Sequence, residues 1–325
     1  IALADGQRAQ VAPHIGHGES RVRGGAARAG APPRPAPFSE TGGGVAAVDA
    51  LLRVALVALT AFPGEESAQR VAAKMLLPAL TRRRALRRAC ADLPSWGAVA
   101  DAARAALESF GNANANQNSI ISFPPEIHRF VAEALCRAAE GVADERALEA
   151  YVARALAAPG DALLACASRP EQMKHPAGEA RAVAALEQMR GAAKASAARS
   201  QRAVFHFFER HFEHLLTVQR LGAQSAAVSK AALRVCEAFV EAQACFLQPK
   251  HAGALCRHCA RVIETYVESG RGVLPPESRS ESANSLRAER AREAYKEVKA
   301  LLRVLMHVSS VDAESDETES DAAFK

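Results

Sequence analysis

Residues 203–270 read AVFHFFERHFEHLLTVQRLGAQSAAVSKAALRVCEAFVEAQACFLQPKHAGALCRHCARVIETYVESG, and this stretch decides the fold class. Phe205, Phe208, Phe212, Leu215 and Leu216 sit at separations of three and four, which places them on one apolar stripe of a helix. Gly222 is expected just past the end of that helix. Ser225 is expected to cap the next one by accepting a hydrogen bond from a free backbone N–H. The second helix carries Val228, Ala232, Val235, Phe239, Ala242 and Phe246, and Pro249, which lacks an N–H, is expected to stop it. A third carries Leu255, Cys259, Val262 and Tyr266, and Gly270 and Gly272 punctuate its end. Amphipathic helices with such short connections are expected to lie antiparallel and share their apolar faces. Val204, Phe207, Val218, Val240 and Leu247 fall off the main stripes, and a helix that is apolar on more than one side is packed on more than one side. That is the situation of an inner helix in a stacked array of hairpins; an ordinary helical bundle is the alternative.

The same rhythm extends in both directions. Upstream, Val45, Val48, Leu52, Leu56 and Leu59 predict a helix that breaks at Pro63-Gly64, and a second from about Glu65 to Cys90 is marked by Pro78 as kinked or broken. Pro94 precedes a helix with Trp96, Val99, Ala103, Leu107 and Phe110. After a polar loop at 111–119, two prolines open a helix whose buried stripe is Ile127, Phe130, Val131, Ala134, Leu135 and Ala138, closed by Gly141. Helix follows from Glu145 to Leu156 and on past Pro159-Gly160, then a loop at 168–178, then helix from Glu179 to Ala195. Downstream, Val273 to Ser285 reads as a loop. A last helix is expected to bury Ala291, Ala294, Val298, Leu301, Leu305 and Val308. About ten helices, paired at roughly 40–47 residues, fit an all-α solenoid of HEAT-like antiparallel helix pairs over 44–310, although no repeat consensus joins the pairs. Residues 1–43, rich in Gly, Ala, Pro and Arg, and the acidic run 311–325 are expected to be disordered, because neither holds enough apolar area to offset its ordering entropy.

Composition narrows the class. Alanine is abundant, aromatic residues are 5% of the chain, and period-two runs of Val, Ile and Thr are missing. The seven cysteines lie scattered through helices without framework spacing, which suits free thiols. No apolar run approaches the ~20 residues that span a bilayer, so membrane insertion is not expected. A net charge of +5 does not imply a specific nucleic-acid partner. An N-terminal Ile1 in place of Met reads as a fragment or processed form of a longer chain.

Candidate chemistry is sparse. Cys256-x-x-Cys259 beside His251 and His258 has zinc-knuckle spacing, but it falls on a helix with no second ligand pair after it, so buried thiols are the preferred reading. His206, His211 and His214 share a helix with Arg210 and lack an HExxH pattern. Triads, phosphate loops and paired carboxylates in apolar settings do not occur, so no enzyme activity and no cofactor are expected. Two surface features are partner-binding candidates. One is the arginine cluster with Arg83, Arg84, Arg87 and Arg88 at helical spacing. The other is the acidic run with Asp316, Glu317 and Glu319, flanked by serines whose phosphorylation adds charge.

Three local strings resemble the exportin-4 family of nuclear transport receptors, in the importin-β/karyopherin superfamily. They are FPPEIHRFVAEALCRAAEGVADERALEAYVARALAAPGDALL with its Arg129 and Tyr151, the stretch from Val204 to Gly270 with Phe239, Val240 and Glu241, and the last helix running into VSSVDAESDETESD. LPSWGAVADAARAAL fits the segment before the first of these, and together they span about residues 45–320. The resemblance implies a HEAT-repeat solenoid that binds protein cargo together with Ran GTPase in its GTP form, meets nuclear pore proteins, and shuttles from nucleus to cytoplasm. A helical-repeat scaffold or adaptor unrelated to Ran is the alternative. No catalytic residue and no numbered cargo contact come with the resemblance.

Overall fold

The computed structural model describes residues 42–62, 64–111, 122–268 and 281–323; the side chains at 42, 43, 111, 281, 283 and 311–323 lie outside the description. The expectations for residues 1–41, for nearly all of the polar loop at 111–119 and for the side chains of the acidic run therefore fall outside the described residues. Those that are described are almost all helical, and among them no strand occurs.

In chain order the helices are α1 (Gly42–Thr60), α2 (Glu66–Val71), α3 (Leu77–Arg82), α4 (Arg84–Ala91), α5 (Pro94–Glu108), α6 (Pro125–Ala139), α7 (Glu145–Ala155) and α8 (Ala157–Ser168). They continue with α9 (Pro176–Ala195), α10 (Gln201–Leu221), α11 (Ala226–Gln243), α12 (Pro249–Glu268) and α13 (Glu281–Ala323). A π-helical turn, Ala72–Leu76, joins α2 to α3. It sits where Pro78 has no N–H for the carbonyl of Lys74 and where the proline ring crowds that carbonyl, so the widened turn accommodates the kink expected at this proline.

Packing follows a simple order. α1 lies on α5, α5 on α8, and α8 on α10. The partner helices form a second succession, in which the α2–α3 segment lies on α6, α6 on α9, α9 on α11, and α11 on α13. Within each pair the two helices also touch: α1 with the π turn, α5 with α6, α8 with α9, α10 with α11, and α12 with α13. These pairs begin at residues 42, 94, 157, 201 and 249. The spacing is uneven and mostly longer than the 40–47 expected. The added length lies in α4, between the first two pairs, and in α7, between the second and third.

The helix with the most neighbours is α9, not the phenylalanine-rich α10. It packs on α6, α8, α11 and, more lightly, on α5 and α10. From Ala182 to Ala195 nearly every side chain is buried or half-buried, including Glu187 and Gln188. A Cβ at Gly191 would run into the Arg129 carbonyl of α6, so the two backbones approach as only glycine permits. By contrast α10 buries one broad face: Phe208 stacks on Phe239 of α11 with ring centroids 4.8 Å apart, and Phe205 on the same ring at 6.0 Å.

Local chemistry agrees with several expectations and corrects others. Ser225 accepts the Val228 N–H at 3.2 Å, and Asp144 caps α7 by accepting that of Ala147 at 2.7 Å. Pro125 opens α6, and Pro176 opens α9 three residues before the expected Glu179. Gly222 ends α10 with φ −91°, outside the left-handed region; a Cβ there would collide with the Val228 side chain. Helix α11 ends at Gln243, so Phe246 falls in a 3₁₀ turn and Pro249 starts α12 instead of stopping α11. α13 already includes residues 281–285, read from the sequence as loop, and it buries Glu297, Ala300, Leu301, Val304 and Val308 while Val298 faces out.

Candidate functional site

Among the described residues, ion pairs join the α2–α3 segment to α6 and α11 to α13, and further pairs lie within α6 and within α9. Arg70 and Lys74 both reach Glu126 of α6, at 2.7 and 3.1 Å. On α6, Arg137 pairs with Glu133 one turn away. On α9, Arg190 pairs with Glu187 at 3.3 Å. Arg303 of α13 reaches Glu237 of α11 at 2.6 Å, and Lys230 of α11 pairs with Glu293 of α13. Two cations between α6 and α9 have no such carboxylate partner among the described residues: Arg129, whose guanidinium lies 4.4 Å from the centre of the Phe130 ring, and Lys194. Burial lowers the pKa of Arg129, and proximity to Arg190 lowers it further, against Glu187, Glu133 and Glu126. Burial likewise lowers Lys194, with Arg190 and Arg129 adding to the effect. The middle of this face is thus a cluster of three cations served closely by one carboxylate pair, an arrangement that favours an acidic partner.

The sequence missed this cluster because its members come from helices far apart in the chain. A partial signal exists: Glu187, Arg190 and Lys194 recur at three and four along α9, as Glu133 and Arg137 do along α6. The arginine candidates lie elsewhere. Arg83 is not on a helix at all, since its backbone is extended (φ −89°, ψ 130°) and separates α3 from α4. The helical spacing assigned to the four therefore holds only for Arg84, Arg87 and Arg88. Arg87 is half-buried and donates to the Arg82 carbonyl at 3.3 Å, while Arg83, Arg84 and Arg88 are exposed. Helix α4 passes Gly141, where a Cβ would come within 2.6 Å of the Arg87–Arg88 backbone.

No family model matches this sequence, and no curated protein matches it.

Several histidines and cysteines are buried in the core, whereas Cys245 and Cys256 are exposed and the His206 side chain is partly exposed. His251 wedges between Phe205 and Phe212, with ring centroids 5.8 and 5.4 Å away, and its Nδ1 accepts the Gln248 N–H at 3.3 Å ahead of α12. His258 is buried, and that burial, with Arg261 nearby, pulls its pKa down to about 4. Cys259 points into the core and burial pushes its thiol up to about 12, whereas Cys256 is exposed. Of His206, His211 and His214, the last two come together with ring centroids 5.8 Å apart, while His206 lies 4.0 Å from Glu149 and His211 also packs on Phe207 at 4.7 Å. Among the described residues no three His, Cys, Asp or Glu side chains gather as metal ligands. No described helix is long and apolar enough to cross a membrane.

Among the described residues, cavities open between helices. One of about 370 Å³ lies between α10 and α12, and one of about 220 Å³ between α7–α8 and α10. Another, about 510 Å³, lies between α5 and α7–α8, with Trp96, Tyr151 and Gln188 among its lining residues. Behind it, His128 is fully buried against Phe110 and Phe123, with Nδ1 2.9 Å from Gln188 Nε2. Burial drives the His128 pKa down to about 3, so the ring is neutral.

Proposed function

We propose that this chain is a protein-binding helical array, a HEAT-like α-solenoid from an exportin-4-like nuclear transport receptor that carries protein cargo from nucleus to cytoplasm with Ran–GTP. The observation that carries the reading is the succession of helix pairs, each packed on the next, with ion pairs at both ends of one line of helices. Arrays of this kind present long surfaces to macromolecular partners and do not require a catalytic pocket. The cationic cluster of Arg129, Arg190 and Lys194 suits an acidic surface on cargo or Ran. Large apolar side chains are open on the first pair (Val54, Val57, Val71, Met75) and on the last (Tyr295, Leu302, Met306), as in an array flanked by further pairs.

The test is a pull-down in which the full-length receptor containing this segment is offered Ran loaded with GTP or with GDP, with and without nuclear extract. Capture of Ran–GTP and of cargo only in the GTP state supports the reading. Cargo capture that is identical in the two nucleotide states overturns it in favour of an adaptor unrelated to Ran. Charge reversal of Arg129 and Lys194 to Glu is expected to weaken capture at low salt and to change it less at high salt, because exposed charges are screened beyond about 8 Å at physiological ionic strength.

A further inference from the structure

The cavity between α5 and α7–α8 is built in a way that packing alone does not require. We propose that it binds a small aromatic monocarboxylic acid that carries a hydrogen-bond donor on its ring. This site is independent of the protein-binding reading.

Its deepest polar group is Gln188 of α9, 3% exposed. Both amide hydrogens are committed, one to the Ala103 carbonyl at 3.2 Å and the other toward His128 Nδ1 at 2.9 Å. The Ala103 carbonyl can only accept, which fixes which end of the amide is nitrogen. The Gln188 carbonyl oxygen then has no protein partner among the described residues, yet the side chain lines the cavity. An acceptor in that position is completed by an O–H or N–H brought in from the cavity.

The neighbouring surfaces ask for a flat apolar body. Trp96 donates from Nε1 to Tyr151 Oη at 2.7 Å, and Tyr151 donates onward to the Leu135 carbonyl at 3.0 Å. Each ring spends its donor inside the protein and offers the cavity mainly carbon. Gly97, Ala100 and Ala158, with little or no side chain, are among its walls. At the rim, Arg104 is neutralised by Asp101 at 2.7 Å, whereas Arg154 has no carboxylate within ion-pair distance among the described residues. Arg154 is the natural partner for one carboxylate. Asp92 and Asp101 on the same rim disfavour a second. A volume of about 510 Å³ is in the range of sites that hold small molecules.

Trp96 is the chain's single tryptophan, so its emission reports on this cavity directly. The experiment titrates the full chain with 3-(4-hydroxyphenyl)propionate, exciting tryptophan selectively, and repeats the titration with 3-phenylpropionate, which lacks the donor. The expected result is a saturable change with a dissociation constant near or below about 1 mM, as suits a ligand of about twelve non-hydrogen atoms. The phenyl analogue is expected to bind about tenfold more weakly, because it leaves the Gln188 oxygen unpaired. Arg154→Ala lies at an exposed position and is expected to weaken binding severalfold. Gly97 lines the cavity and a Cβ there meets nothing within 4 Å, so Gly97→Leu is expected to weaken binding while far-UV circular dichroism is unchanged. Absence of a saturable change in the folded wild-type chain overturns the proposal. So does equal affinity for the two acids, which leaves only water on Gln188, and so does undiminished binding to Gly97→Leu, which puts the probe elsewhere.

Discussion

Helices α9 and α10 are neighbours in sequence and nearly equal in length, yet they are held by opposite means. α10 presents a wide aromatic face, stacks phenylalanines on α11, and keeps a solvent side that carries Glu209. α9 is packed on several sides by short side chains, and glycine brings its backbone against that of α6. Large residues remove more apolar area from water per contact, while small ones permit closer and more numerous helix neighbours. The lesson is that the most connected helix of an array need not be its most hydrophobic one.

The sharpest way to break the comparison is through the aromatic side. Phe208→Ala removes a fully buried ring from the α10–α11 seam and is expected to cost about 3–5 kcal/mol, because the stacked partner Phe239 cannot close the cavity. Chemical denaturation followed by circular dichroism measures this; a loss below about 1 kcal/mol would show that the α10 stripe is not what joins the two helices. Next in size is the buried polar contact on the other helix, between Gln188 and His128. His128 titrates near 6.5 when unfolded and at about 3 when folded. The unfolded state therefore takes up the proton first, and the associated stability is full above pH 6.5 and lost as pH falls toward 3. The slope approaches 1.4 kcal/mol per pH unit, or about 4 kcal/mol between pH 6.5 and 3.5. His128→Met should flatten that part of the pH profile, and a profile identical to wild type would count against burial of a neutral ring.

Smaller substitutions separate close approach from mere helix propensity. Gly191→Ala is expected to destabilise by about 1–3 kcal/mol through overpacking against α6. Gly97→Ala, at a helical glycine with open space around it, is expected to stabilise by up to about 1 kcal/mol. Thermal melts of the two variants should move in opposite directions, and a shared direction would remove the special status of α9. The smallest effect belongs to the solvent side of α10. Glu209 pairs with Lys250 at 3.0 Å in an exposed setting, so Glu209→Gln should change stability by less than about 0.5 kcal/mol. A larger loss would mean that α10 depends on that side after all.

The sequence showed α10 and α11 clearly because large apolar residues at helical spacing leave little alternative. α6 was equally legible, since two prolines mark its start and its stripe is continuous. α9 was readable as a helix but not as the centre of the packing. Alanine is compatible with burial and with exposure alike, so periodicity could not say that all sides are covered. The break at Arg83 was hidden because arginine is a good helix former; there tertiary packing overrides local propensity. The π turn was half visible, through Pro78. The cluster of Arg129, Arg190 and Lys194 and the Gln188 cavity were not legible. They join residues that the chain separates widely, and only the packing of α6, α5 and α8 on α9 brings them together.

The order of packing has a mechanical meaning. If the helix pairs act as an array, as proposed above, tension applied between its two ends would pass through the seams in series, as through links of different strength. The α6–α9 seam, where backbone meets backbone at Gly191, offers little slack and should be the stiffest link. At the far end, the contacts of α13 with α11 include the ion pairs of Lys230 with Glu293 and of Arg303 with Glu237, which long flexible side chains can stretch and re-form. The molecule should thus yield first toward its C-terminal pair and keep the α6–α9 region as a rigid anchor about which the rest can bend.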